Sequence, residues 1–81
     1  MNITIVGAGY VGLVAGACFS DMGNRVICVD SNKIKVQNLK RGIVPIYEPG
    51  LKELILKNTQ NKALFFNTNL QEGLTSCEIV F

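Results

Sequence analysis

Apolar positions fall in short blocks along the chain, and the period of each block changes at a glycine, a proline or a polar cluster. Asn2 to Val6 is rich in β-branched residues and predicts a short buried strand. Gly7-Ala8-Gly9-Tyr10-Val11-Gly12 follows at once. Beyond it Val11, Val14, Ala15, Cys18, Phe19 and Met22 recur in steps of three and four, which predicts an α-helix with that face inward. Gly23-Asn24 is expected to end this helix, because both residues tolerate left-handed backbone. Residues 25–30 are almost continuously apolar up to Asp30 and predict a second strand buried on both faces, as in a parallel sheet flanked by helices. Consecutive parallel strands need a crossover of about a dozen residues, and the helix supplies it, with a right-handed connection expected.

The rest of the chain continues the alternation. Ser31 or Asn32 can cap a second helix whose narrow apolar stripe is Val36, Leu39 and Ile43, with Gly42 disrupting its end. Residues 44–50 hold two prolines and predict a stiff loop. Leu51, Leu54 and Ile55 suggest a short third helix, and the polar residues 58–62 a loop. Residues 63–67 predict a third strand, and Asn69-Leu70-Gln71-Glu72 resembles a capping box opening one or two helical turns. Residues 77–81 predict a fourth strand. The expected fold class is therefore α/β: the first part of a Rossmann-type doubly wound parallel sheet. Because the sequence stops inside a core strand, residues 1–81 are expected to be the N-terminal portion of one domain, with the remainder of that domain on a longer chain. No internal repeat and no low-complexity segment interrupts this pattern.

Composition narrows the chemistry. With 48% apolar residues the chain is globular, and a net charge of +2 without a basic run argues against a nucleic-acid partner. There is no histidine, so the commonest general base and zinc ligand is missing. The three cysteines Cys18, Cys28 and Cys77 have no CxxC spacing, which points to neither a metal site nor a disulfide framework. Cys18 and Cys28 are expected in the core, and Cys77 has no basic neighbour to activate it. No apolar stretch reaches the roughly 18 residues of a membrane span. The N-terminus lacks a basic region and its apolar run stops at Gly7, unlike a signal peptide, so a reducing cytoplasm is the expected setting.

The glycine segment carries the chemistry. A lone GxGxxG is a weak signal, but here it follows a strand, opens a helix, and is answered by Asp30 at the end of the next strand, 18 residues after Gly12. Gly7 permits the tight turn, Gly9 lets a diphosphate approach the backbone, and Gly12 lets the helix pack closely on the sheet. Tyr10 and Val11 offer backbone groups at the phosphates, where the helix start exposes unpaired N–H groups and the positive end of its dipole. Asp30 would accept hydrogen bonds from the adenosine ribose and repel a 2′-phosphate, which favours NAD over NADP, although Lys33 and Lys35 could soften that repulsion. Bland readings stand beside these: the turn could be purely structural, Asp30 could cap the second helix, and Lys35 could be a solvated helix lysine. Tyr47-Glu48-Pro49-Gly50 could be a rigid connection or could help shape a ligand site.

Two segments carry a resemblance, Gly7-Ala8-Gly9-Tyr10-Val11-Gly12-Leu13 and Pro45-Ile46-Tyr47-Glu48-Pro49-Gly50-Leu51, with Val29-Asp30 and Lys35 between them. The chain resembles the UDP-glucose/GDP-mannose dehydrogenases over essentially all its residues, and the second segment is the more specific. The resemblance implies an N-terminal Rossmann domain that binds NAD, with a central helix and a UDP-sugar domain downstream. It implies oxidation of the sugar C6 alcohol to a carboxylate, UDP-glucose to UDP-glucuronate, with two NAD reduced and a downstream cysteine holding the intermediate. It maps Gly7, Gly9, Tyr10, Val11, Gly12, Asp30 and Lys35 onto the cofactor site and leaves no catalytic residue among residues 1–81. The full-length protein is expected to be a homo-oligomer, and the 81-residue piece to be inactive alone. Other readings remain: a regulatory NAD-sensing module of a transport system, which would lack the segment at residues 45–51; another NAD-dependent dehydrogenase; or a flavoprotein with a similar turn.

Overall fold

A computed structural model describes residues 1–75 and 77–80. The elements run β1 (Asn2–Val6), α1 (Tyr10–Asp21), β2 (Arg25–Val29), α2 (Lys33–Lys40), α3 (Leu51–Gln60), β3 (Leu64–Asn67), α4 (Leu70–Leu74) and β4 (Ile79–Val80). The four strands form one parallel sheet in the order β3-β2-β1-β4, so the chain winds outward from β1 in both directions. This is the expected Rossmann-type α/β arrangement.

Strand alternation sorts the core. The register aligns Ile3 with Val26 and Val26 with Leu64, and Ile5 with Cys28 and Cys28 with Phe66. These six side chains are buried in one cluster with Leu13 and Ala17 of α1, Val36 and Leu39 of α2, and Leu51 and Ile55 of α3. The intervening residues point to the other face, where α4 lies. There Gly73 approaches so closely that an added Cβ would meet Val29 Cγ2 at 2.7 Å, and the buried Thr4 hydroxyl donates to the Gly73 carbonyl. Helices thus cover both faces, as continuously apolar parallel strands require.

The inward face of α1 differs from the apolar period. Val11 and Met22 are 78% and 75% exposed, and Cys18 is exposed rather than in the core, whereas Cys28 is buried. The buried residues are Leu13, Gly16, Ala17 and Ser20, with Val14, Ala15 and Phe19 half-buried. The helix meets the sheet through small residues, which a count of large apolar side chains does not register. Ser20 can be buried because its hydroxyl donates to the carbonyls of Gly16 and Ala17.

Other boundaries shift for equally local reasons. Asn32, not Ser31 or Asp30, caps α2, its side chain accepting from the Lys35 N–H. Val36 and Leu39 are buried as expected, but Ile43 lies beyond the helix and is exposed, its N–H closing back on the Asn38 carbonyl after Gly42 at φ +81°. α3 continues through Gln60 where a loop from residue 58 was expected. Asn58 is only 3% exposed because its amide donates to the Leu54 carbonyl and to Asp21 of α1. At α4 only half of the capping box forms: Asn69 accepts from the Glu72 N–H, while the Glu72 carboxylate accepts from Asn67 instead. The fourth strand starts at Ile79, later than expected, and Phe81 lies outside the described residues.

Candidate functional site

The C-terminal ends of β1, β2 and β3 meet at one edge of the sheet, and the glycine segment crosses that edge. Gly7 takes φ +100°, which L side chains rarely adopt, and its N–H donates to the Val29 carbonyl at 2.6 Å. This turns the chain sharply out of β1. The Ala8 N–H then donates to Asp30 Oδ2 at 2.9 Å. Gly9 is the N-cap of α1 in extended conformation, and no side chain caps this helix among the described residues. Its first internal bond runs from the Leu13 N–H to the Gly9 carbonyl, so the N–H groups of Tyr10, Val11 and Gly12 precede the helical ladder.

The second and third glycines are in opposite surroundings. A Cβ built on Gly9 would have no atom within 4 Å, whereas one on Gly12 would lie 2.1 Å from the Gly7 carbonyl oxygen and 3.3 Å from Ile5. Space is open where Gly9 faces outward and closed where Gly12 faces the turn. Tyr10 and Val11, 52% and 78% exposed, stand on the open side.

Asp30 is fixed without being used up. Oδ2 accepts from Ala8 and Oδ1 from the Asn32 N–H, and these backbone bonds, with Asn32 first, hold its pKa below the ordinary carboxylate value. Desolvation opposes the shift, and the Lys35 ammonium, 3.8 Å from Oδ2, adds a smaller favourable contribution. A carboxylate offers about four lone-pair sites, so acceptor capacity remains. Beside it a cleft of about 250 Å³ is bounded by Gly7, Asp30, Ser31, Thr68 and Leu70. Neither Thr68 nor Leu70 was expected at the site from sequence, Leu70 entering there only within the capping box of α4. The signal available for them was their position just past the end of β3, where loops of a parallel sheet surround a ligand.

Every sequence-derived candidate lies at this edge. Gly7, Gly9, Tyr10, Val11 and Gly12 form the turn and first helical residues, Asp30 is tied to Ala8 within it, and Lys35 reaches Asp30 from α2. The loop at residues 44–50 also arrives here. The Tyr10 hydroxyl donates to Glu48 Oε2 at 3.0 Å, and this bond raises the phenol pKa above its ordinary value.

A family model described as "UDP-glucose/GDP-mannose dehydrogenase family, NAD binding domain" matches residues 1–81. The chain belongs to this family. NAD is the cofactor of the domain, and the donor set suits it: unpaired amide hydrogens for a diphosphate, open space at Gly9, and a carboxylate with spare lone pairs for hydroxyl groups. Among relatives, the UDP-glucose 6-dehydrogenase YwqF of Bacillus subtilis is 47% identical over 81 residues, covering 100% of this chain and 18% of that protein. A UDP-glucose 6-dehydrogenase of Pseudomonas aeruginosa is also 47% identical, with the same coverage. Among solved structures, a ternary complex of GDP-mannose dehydrogenase from Pseudomonas aeruginosa superimposes with a TM-score of 0.95 at 36% identity, covering 100% of this chain and 19% of that one. A UDP-glucose dehydrogenase from Pyrobaculum islandicum gives 0.92 at 32% identity, over 99% and 18%. The chain therefore spans under a fifth of the length of these dehydrogenases.

Proposed function

We propose that residues 1–81 are the N-terminal, NAD-binding portion of a sugar-nucleotide dehydrogenase that oxidises UDP-glucose to UDP-glucuronate with two NAD. The observation that carries the reading is the open, uncapped start of α1 at Gly9, with the Asp30 carboxylate held beside it. NAD, when bound, supplies the hydride acceptor. This chain's own residues hold and orient it. The N–H groups of Tyr10, Val11 and Gly12 receive the diphosphate, Gly9 lets it approach, and Gly7 and Gly12 shape the turn. Asp30 accepts from the adenosine ribose hydroxyls and disfavours a 2′-phosphate, and Lys35 steadies Asp30 from one side.

In this reading the catalytic cysteine and the sugar-binding residues belong to sequence beyond residue 81. The intact enzyme is a cytoplasmic homo-oligomer, and the 81 residues alone have no turnover. Among the described residues no helix is long and apolar enough to cross a membrane. The test is NAD reduction by the intact protein with UDP-glucose, GDP-mannose and UDP-N-acetyl sugars in parallel. UDP-glucose should be preferred, and Asp30→Ala should weaken NAD and improve relative use of NADP. Equal rates on all the sugar nucleotides, or an unchanged NAD:NADP ratio, would count against the substrate and the ribose assignment respectively.

A further inference from the structure

The phosphate turn is short of internal restraint. Gly7 and Gly9 give it backbone freedom, and α1 has no side-chain cap among the described residues. A first helical turn without a cap frays readily. Besides the Gly7 N–H bond to the Val29 carbonyl, two side-chain bonds from outside hold it: Ala8 N–H to Asp30, and Tyr10 Oη to Glu48. The Ala8 bond reaches the turn before the helix starts. The Glu48 bond grips Tyr10, the first helical residue, whose N–H lies among the unpaired donors.

Glu48 is well placed to grip. Val44 and Ile46, just ahead of it, pack against the core. Its carbonyl accepts from the Leu51 N–H at 3.1 Å, and Gly50, at φ +82°, turns the chain into α3. α3 is joined in turn to α1 by Lys57 and Asn58, which both donate to Asp21. The loop and the far end of α1 thus belong to one frame, and Glu48 extends that frame to the helix's near end. A carboxylate so close to an anion site is unfavourable by charge alone, so its value there lies in the bond it accepts.

We propose that Glu48 is a positioning residue for the dinucleotide: by accepting from the Tyr10 hydroxyl it sets the first turn of α1 before NAD arrives, so the loop at residues 44–50 governs NAD affinity. The inference rests on the proposed NAD site. Removing the bond leaves the donors present but unordered, and the ordering must then be supplied on binding.

The test uses the intact dehydrogenase with Glu48→Ala, Glu48→Gln, Tyr10→Phe and the Glu48→Ala/Tyr10→Phe double variant. Steady-state kinetics, NAD calorimetry and thermal melting without NAD are measured for each. Glu48→Ala and Tyr10→Phe should each weaken NAD binding and raise its KM by about three- to tenfold, the range of one modest hydrogen bond. In Glu48→Ala kcat and the KM for the sugar nucleotide should stay within about twofold with melting unchanged, and the double variant should bind NAD no worse than either single one. Glu48→Gln keeps an acceptor without the charge and should restore NAD affinity. Additive losses in the double variant, no rescue by Gln, or unchanged NAD binding in both single variants would overturn the role of Glu48. If one variant fails to fold, the other reads the same bond from its opposite end. Should wild type fail to bind NAD, or Asp30→Ala bind it normally, the site itself would be misplaced, a result distinct from failure of the Glu48 contact.

Discussion

Gly9 and Gly12 belong to one motif yet answer to different constraints. Gly9 sits at φ −78°, open to any L residue, with nothing where a Cβ would go. Gly9→Ala should therefore leave folding within about 0.5 kcal/mol of wild type while NAD affinity drops at least about tenfold. Gly12→Ala drives a methyl group into the Gly7 carbonyl and should destabilise by about 1–3 kcal/mol or more. Denaturant titration paired with NAD calorimetry separates the two effects, and equal behaviour of the two variants would contradict the geometry. Asp30 adds a pH signature. Its folded pKa is lowered from 3.8, chiefly by the Asn32 and Ala8 N–H groups. Its contribution is thus fully present above that ordinary value and is lost as pH falls through the lower folded value. Melting temperature should accordingly fall less between pH 5 and pH 3 in Asp30→Asn than in wild type. At this scale the sequence was informative, since glycine spacing and a carboxylate at a strand end have few other uses together. The Ala8 bond was not legible, because it depends on where β2 lies beside β1.

Among the elements, α1 shows where periodicity misleads. Its large apolar residues suggest a face through Val11, Cys18 and Met22, yet the sheet is met by Leu13, Gly16, Ala17 and Ser20. Close packing favours small side chains at such a contact, and hydrophobicity counts pass over them. A Cβ on Gly16 would sit 2.8 Å from the buried Cys28 Sγ and 3.5 Å from Ile5 and Leu64. Gly16→Ala should thus cost about 1–3 kcal/mol despite the better helix propensity of alanine, measured by urea unfolding. A stabilised variant would show that α1 can shift away from β2 at little cost. The end of α3 follows the same logic. Polar residues from position 58 read as a loop, but Asn58 finds partners on α3 and α1, and a satisfied amide can be buried.

At the scale of the molecule, the main cluster lies between the sheet and α1, α2 and α3, while α4 covers the opposite face. Cys28 stands at the centre of the cluster, 0% exposed, and burial pushes its thiol pKa up to about 12. Cys18, on the outer side of α1, is exposed. A thiol reagent at pH 8 should label Cys18 rapidly in the folded protein and reach Cys28 only when the whole core opens, so Cys28 labelling should track global unfolding. Peptide mapping during a denaturant series checks this, and fast native labelling of Cys28 would contradict the packing. The parallel sense of the sheet, though not its strand order, could be anticipated, because helical crossovers join the consecutive strands. Nor could the meeting of the loop at residues 44–50 with α1, since a loop's path depends on what it packs against.

Residue order alone settled the succession of strands and helices, the glycine turn and the acidic strand end, because these follow from local backbone freedom and from side-chain period. The sequence also carried the family, through two short segments whose spacing is specific. Tertiary structure decided which side of α1 faces the sheet, which cysteine is buried, and which side chains from distant segments touch. Those contacts join Ala8 to Asp30, Asn58 to Asp21 and Tyr10 to Glu48. Each depends on distances between elements far apart in the chain, and such distances are set by close packing of the core rather than by any local pattern.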